Sequence, residues 1–499
     1  MSVLKFLENA VNKHPEKTAL KDENHSVSYA EVNELSDRIA TSLIDLINTE
    51  NRPIAVLIDR NVESLVAFIG ITKSHNFYMP VDYSQPVNRI INMVTQMEPA
   101  CVIAFNNCSE EIRERISAPV YEYEELIKIQ TDVKLLREVR EKIKEKDPLY
   151  LMCTSGSTGI PKGVLITHDG VERFITTFVE TFGFNENDVF GNQAPFDFDV
   201  SVKDFYSTLY CGATMVIIPR KCFSMPKLLV EVLDENRITV IIWAVSALCI
   251  VAGINAFKSR VPSHIRKVLF SGEVMPVKML NVWRQYLPEA MYVNLYGPTE
   301  VTCNCTYYIV DREFNDEEKL PLGKVFDNCS VYVLDDRNER IKTSETGEIC
   351  VSGPSVSPGY YHNEQKTADV FVSNPFVPET LMYRTGDLAY FSPDGYYYFA
   401  GRKDFQIKHM GHRIELEEIE KYLNAAQCVS RAICLYDEKR NKLVTVYQGE
   451  ADKKDIIAAL KNDIPKYMIP SVYYQEETLP LTKNGKIDRK QLFEKFVGE

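Results

Sequence analysis

The chain has 499 residues, too many for one hydrophobic core and enough for two or three domains. An apolar share of 45% and a charged share of 25% are those of an ordinary globular protein. A net charge of −13 argues against a general nucleic-acid or membrane-surface binder, since either favours a basic face.

Residues 1–10 lack the basic-then-apolar pattern of a signal peptide and read as an amphipathic helix. Val27-Ser28-Tyr29-Ala30-Glu31 leads into a helix carrying Val32, Leu35, Ile39 and Leu43 on one face. Residues 54–58 are a buried-strand candidate, followed by a helix through Leu65, Phe68 and Ile69; Tyr78-Met79-Pro80-Val81-Asp82 and 101–105 are further strand ends. This alternation predicts a largely parallel sheet with helices on its faces. The charged run 109–146 is expected to be surface helix and loop. Strands are predicted again at 149–152, 189–192, 214–219, 240–243 and 267–270. The longest apolar stretch, 240–253, is too short to span a bilayer and reads as a strand running into a helix. From 331 to 353, short alternating strands predict a smaller β subdomain. Around 401–411 the composition turns basic, and the rest reads as an α+β unit with helices 415–425 and 453–463 and strands near 431–436 and 442–447. A boundary near Asp404 divides the chain into 1–403 and 404–499; no repeats or low-complexity tracts interrupt it. The twelve cysteines hold no C-x-x-C pair, and no matching pair follows Cys303 and Cys305, so reduced thiols in a cytoplasmic protein are expected.

Four polar segments stand out. Thr154-Ser155-Gly156-Ser157-Thr158-Gly159-Ile160-Pro161-Lys162-Gly163 follows an apolar strand and cannot pack a core or hold a helix. It is a flexible linker or a loop whose amides and hydroxyls grip phosphate, with Lys162 as a mobile charge; the G-x-x-x-x-G-K-[ST] spacing of the usual P-loop is absent. Asn294-Leu295-Tyr296-Gly297-Pro298-Thr299-Glu300 breaks the pattern at a strand end, where ligands sit in open α/β sheets. A turn explains its Gly and Pro but not a hydroxyl and a carboxylate beside a tyrosine, a set suited to a base, a phosphate and Mg²⁺. Tyr383-Arg384-Thr385-Gly386-Asp387-Leu388 puts a carboxylate after a glycine turn, either for two ribose hydroxyls or as a plain surface turn. Asn484-Gly485-Lys486-Ile487-Asp488-Arg489 presents a lysine on a tight turn, which alone reads as a solvated charge.

In this order, with Gly347-Glu348-Ile349, Gly401-Arg402-Lys403-Asp404-Phe405-Gln406-Ile407-Lys408 and Tyr467-Met468-Ile469-Pro470, these segments resemble the adenylate-forming superfamily of CoA ligases, luciferases and peptide-synthetase adenylation domains over nearly the whole chain. The resemblance implies an α/β fold: a large N-terminal domain of layered sheets and helices and a small mobile α+β C-terminal domain. It implies attack of a carboxylate on the α-phosphate of ATP, releasing pyrophosphate. By the same resemblance Thr154, Ser155, Gly156, Ser157, Thr158, Gly159 and Lys162 steady the β- and γ-phosphates. Tyr296 stacks adenine between Asn294 and Gly297, Thr299 contacts the α-phosphate, and Glu300 holds Mg²⁺. Asp387, assisted by Arg402, takes the ribose, and Lys486 bridges the substrate carboxylate and α-phosphate. Asp404 is the hinge that exchanges Lys486 for the 408–411 loop before a thiolate displaces AMP.

Residues 192–202 resemble the segment carrying the amino-group-binding aspartate of amino-acid-activating members, and by register with Gly212-Ala213-Thr214 that residue is Asp199 rather than Asp197. Leu269, Ser271, Gly272, Leu295, Cys303 and Asn304 are expected to line the pocket, and Lys203 either pairs with an acidic or polar side chain there or points to solvent. The look is most like the D-alanine–D-alanyl carrier protein ligases, but Ser271 precedes Gly272-Glu273-Val274, where that subfamily uses a cysteine to favour the D-isomer. The expectation is a free-standing amino-acid adenylating enzyme. No Ser-bearing carrier domain follows Glu499, so a phosphopantetheinylated carrier protein is expected in trans, with no nucleic acid and no membrane insertion. The rivals are D-alanine loading for teichoic acid, a CoA ligase for a small carboxylic acid, and a nucleotide-binding regulator without catalysis.

Overall fold

The computed structural model of the protein describes residues 2–156, 161–258, 260–427, 429–482 and 487–498. Its first long helix shows how local chemistry sets the elements. Ser28 accepts from the Glu31 amide while the Glu31 carboxylate accepts from the Ser28 amide, closing both ends of a reciprocal cap on helix Tyr29–Ile47. One face of that helix buries Val32, Ile39 and Leu43. The strand Pro53–Ile58 is buried at every position, because a parallel strand covered on both sides needs a continuous apolar run rather than an alternating one.

Two large sheets are built mainly from the first two-thirds of the chain. A seven-stranded sheet runs in the order Gly359–Tyr361, Lys162–Thr167, Pro148–Thr154, Phe77–Asp82, Pro53–Ile58, Val102–Ala104, Val120–Glu122. A nine-stranded sheet has the parallel centre Met291–Tyr296, Lys267–Ser271, Val240–Ala244, Val189–Asn192, Thr214–Ile217 and Thr18–Lys21, with antiparallel strands at its edges. The β subdomain expected after residue 331 is a five-stranded antiparallel sheet built on the long strand Leu381–Phe391. After Arg402 come a hairpin, Gln406–His409 with His412–Glu415, and a three-stranded sheet covered by helices including Leu416–Ala425 and Lys453–Leu460.

The mixed α/β architecture is the one expected, with two differences in detail. The charged run 109–146 contributes an edge strand, Val120–Glu122, whose pairing with Val102–Ala104 needs no apolar pattern of its own. The C-terminal unit gains the strand Val472–Gln475 and the 406–415 hairpin, both too short and polar to show periodicity. All eleven described cysteines are unpaired, and no helix among the described residues is long and apolar enough to cross a membrane. Among the described residues, hydrophobic clusters do not cross Asp404. Those around Tyr29, Trp243, Phe77 and Tyr332 lie before it, and those around Leu423 and Val446 lie after it.

Candidate active site

Strand ends from both large sheets meet at one cavity of ≈ 120 Å³. Thr154 and Ser155 reach it from the end of Pro148–Thr154, and Ser271 from the end of Lys267–Ser271. Gly297 and Thr299 follow Met291–Tyr296, and Asp199 heads the helix Val200–Cys211 that carries Lys203. Asp387 and Arg402 come from the small sheet, and Lys408, Gly411 and Arg413 from the C-terminal hairpin. The turn after Glu300 is tight: Thr302 and Cys303 hold φ of 56° and 74°, a left-handed conformation that is costly for these residues. Gly297 is required opposite it, since a Cβ there would lie 2.5 Å from the Asn304 Cα. This packing brings Cys303 Sγ to donate to the Asp199 carbonyl at 3.2 Å and Asn304 to face Lys203.

Three of the residues expected at the nucleotide, Tyr296, Asp387 and Arg402, are hydrogen-bonded in series. Tyr296 donates to Asp387 Oδ2 at 2.6 Å, Arg402 donates to the other Asp387 oxygen, and Arg402 also holds Asp404 at 2.6 and 2.9 Å. The Lys408 ammonium lies 5.9 Å from the centre of the Tyr296 ring. Glu300 is fully buried, with Tyr360 donating to it at 2.8 Å and Arg413 at 2.8 and 3.0 Å, and with the Lys162 ammonium ion-paired to it at 3.7 Å. Burial alone would raise its pKa, but Arg413 and Lys162 outweigh burial and hold it down at about 2. Burial and the neighbouring Arg413 lower Lys162 to about 8, against the pull of Glu300.

Several expectations change. Lys162 is not a mobile charge: it begins the strand Lys162–Thr167, is 8% exposed and serves Glu300 and Tyr360. With Arg413 seated, Glu300, the residue expected to hold Mg²⁺, accepts from Tyr360 and Arg413 at one oxygen and from Arg413 at the other, so a protein cation already compensates its charge in this arrangement. Asn294 gives its amide to the Pro321 carbonyl, and Leu269 and Leu295 are core residues outside the cavity lining. Gly156 follows Ser155 in the chain; Ser157, Thr158, Gly159 and Lys486 lie outside the described residues. Lys203 faces inward, buried to 1%, donating to Asn304 Oδ1 at 2.9 Å and Ser271 Oγ at 3.2 Å. Burial raises the pKa of Asp199, with Lys203 and a hydrogen bond from Thr299 drawing it back.

Sequence reasoning missed Arg413 altogether. It lies two residues past the basic loop that drew attention, and its partner Glu300 is 113 positions away. Asp197, set aside in favour of Asp199, also lines the cavity, with Oδ1 unpartnered and a pKa pushed up to about 7 by burial and by the charge of Asp82.

A family profile described as AMP-binding enzyme matches residues 7–361. The chain belongs to this family of AMP-binding enzymes. It is similar to a D-alanine–D-alanyl carrier protein ligase of Streptococcus agalactiae serotype V, 33% identical over 93% of both chains. It is 32% identical to tyrocidine synthase 2 and 30% identical to tyrocidine synthase 1 of Brevibacillus parabrevis, in each case over 98% of this chain. The chain spans only 13% and 45% of the length of those two synthases. In fold it matches a Vibrio cholerae adenylation domain in complex with glycyl-adenosine-5′-phosphate, with TM-score 0.84 and 21% identity over 100% of this chain and 98% of the other. A nonribosomal peptide synthetase protein containing adenylation and PCP domains matches with TM-score 0.85 and 22% identity over 99% and 84%.

Proposed function

We propose that the protein activates an amino acid as its aminoacyl-adenylate at the expense of ATP and then passes the aminoacyl group to the phosphopantetheine thiol of a carrier protein. The observation that carries this reading is Asp199. It stands in the same cavity as Thr299, Asp387 and Arg402, where burial penalises its negative charge. A buried carboxylate is favoured by a cationic partner; the α-ammonium of an amino acid is one, and a simple carboxylic acid brings none. In this reading Asp387 and Arg402 hold the ribose, Tyr296 lies along the base, and Thr299 meets the α-phosphate. Residues 154–162 grip the outer phosphates. Residues 404–499 move as a unit about Asp404, presenting Lys486 for adenylation and the hairpin for transfer. The separate hydrophobic clusters on either side of Asp404 support that division. The acceptor thiol comes from a carrier protein, as the names of the relatives suggest. ATP is the substrate that supplies the adenylate.

The 33% identity to a D-alanine–D-alanyl carrier protein ligase supports a second reading, D-alanine as substrate. Pyrophosphate exchange into ATP across both enantiomers of the amino acids and across simple carboxylic acids separates the readings. Exchange with amino acids is expected; exchange confined to acids without an amino group defeats the Asp199 reading, and D-alanine as the best substrate selects the second.

A further inference from the structure

Lys203 is a charge lining the cavity that adenylation of a generic amino acid leaves without a task. The helix Val200–Cys211 is buried around it, with Ser201, Val202, Asp204 and Phe205 all inside, so the side chain has no route by which to snorkel to water. Its ammonium carries three donors. Two are spent on neutral acceptors, Asn304 Oδ1 at 2.9 Å and Ser271 Oγ at 3.2 Å. Among the described residues no carboxylate oxygen lies within 4.0 Å of it. Asp199 and Asp204 act on it without a direct ion pair; a dry ammonium with no directly paired counter-ion is costly, and an apolar residue of the same length would fill the volume without that cost. Lys203 also stands four residues after Asp199, one helical turn along, so the helix offers the cavity a negative and a positive group side by side.

We propose that Lys203, oriented by Asn304 and Ser271, binds a carboxylate on the side chain of the substrate, so that the amino acid activated is an acidic one. The inference rests on the amino-acid reading above and specifies its substrate class. The α-ammonium pairs with Asp199, the side-chain carboxylate with Lys203, and the α-carboxylate remains free to attack ATP. Both fixed charges are then matched. Alanine or glycine leaves the ammonium unpaired, and a basic side chain is repelled. Burial depresses the Lys203 pKa, opposed by Cys303 and Asp199, and an anion at its third N–H pushes it back up.

Pyrophosphate exchange with carbon-matched acids tests the two charges independently. One set is glutamate, 2-aminopentanoate, glutarate and pentanoate; the other is aspartate, 2-aminobutanoate, succinate and butanoate, with glutamine and asparagine added and both enantiomers used. With the amino group kept constant, the second carboxylate is expected to raise kcat/KM by more than roughly 10²-fold, since a site built to hydrogen-bond a substrate group rejects an analogue lacking it by up to about 10⁴–10⁵. Lys203→Met should bring that ratio close to one and improve use of the apolar member. An apolar member equal to or better than its acidic partner, glutamine or asparagine equal to the acid, no exchange with any acid bearing a second carboxylate, or an unchanged ratio in Lys203→Met each overturns the inference. The ratio with and without the amino group reports on Asp199 alone, so failure of the amino-acid reading is seen separately. Should Lys203→Met not fold, the wild-type ratios decide.

Discussion

Asp199 and Asp204 sit on the same helix and meet burial differently. Asp199 faces the cavity, where a substrate can neutralise it. Asp204 is sealed in at 0% exposure, accepting from Asn192 Nδ2 at 2.8 Å while its other oxygen has no partner. Burial raises its pKa to about 7, although the Asn192 hydrogen bond, Lys203 and Arg60 oppose the shift. A folded pKa above the unfolded value near 3.9 means that the folded state holds its proton longer. The associated stability is complete below about pH 4 and is lost as pH rises towards 7. Asp204→Asn imitates the protonated form and removes that loss. Thermal melts of both proteins from pH 4 to 8 should show the variant gaining on the wild type, by about 1.4 kcal/mol per pH unit across the window. Parallel curves would contradict the raised pKa. At this scale the sequence was informative about identity and mute about direction. The motifs marked Asp387, Arg402, Thr299 and Asp199, and all four line the cavity. Spacing put Lys203 on the face of Asp199 but could not say whether that face was wet, because a helix buried on all sides shows no polar stripe. Leu269 and Leu295 fall outside the cavity lining because motif membership does not say which face of a strand, or which depth along it, a residue takes.

The hairpin Gln406–His409 with His412–Glu415 and the helix Leu416–Ala425 behind it dock the C-terminal unit onto the cavity. Ser155 donates to the Arg413 carbonyl at 2.8 Å, the Gly411 amide to Glu273 at 3.0 Å, and His412 packs edge-on to Phe198 with centroids 4.7 Å apart. The strongest tie is Arg89 to Glu418 at 2.6 Å, with the two residues 6% and 0% exposed. Removing one member of a buried pair leaves the other uncompensated and costs about 3–5 kcal/mol if the surfaces stay together. Separating the surfaces avoids that cost. Glu418→Gln should therefore shift the population away from the docked arrangement. The expected readout is slower transfer to a thiol from preformed adenylate, with pyrophosphate exchange unchanged or faster, and quicker proteolysis near 403–405. Slowed exchange with normal transfer would assign docking to the other half-reaction. The strands and helices of this unit were legible from their apolar periods. The docking was not, since Arg89 and Glu418 are 329 positions apart and each reads alone as a surface charge.

At the scale of the whole molecule, one cavity of ≈ 120 Å³ cannot admit the hairpin and a second set of C-terminal groups together. The hairpin already fills its rim with Lys408, Gly411 and Arg413, and Arg413 holds Glu300. The two steps of the proposed reaction place opposite demands on that space. Adenylation needs a mobile cation between two negatively charged reactants, which suits the long stem and compact charge of Lys486. Transfer needs a closed wall around a reactive adenylate. In the proposed reaction, a unit with its own core, joined at Arg402–Asp404, would satisfy both by turning as a rigid body. Lys486→Ala then has the opposite signature to Glu418→Gln. It should slow adenylate formation by roughly 10²-fold or more, the loss expected for one preorganised charge contact. Transfer from supplied adenylate should stay within a few-fold of wild type. Single-turnover measurement of both halves in both variants gives a crossed pattern if the unit alternates. Loss of both halves in Lys486→Ala, or matching profiles for the two variants, would mean that one fixed arrangement performs both steps.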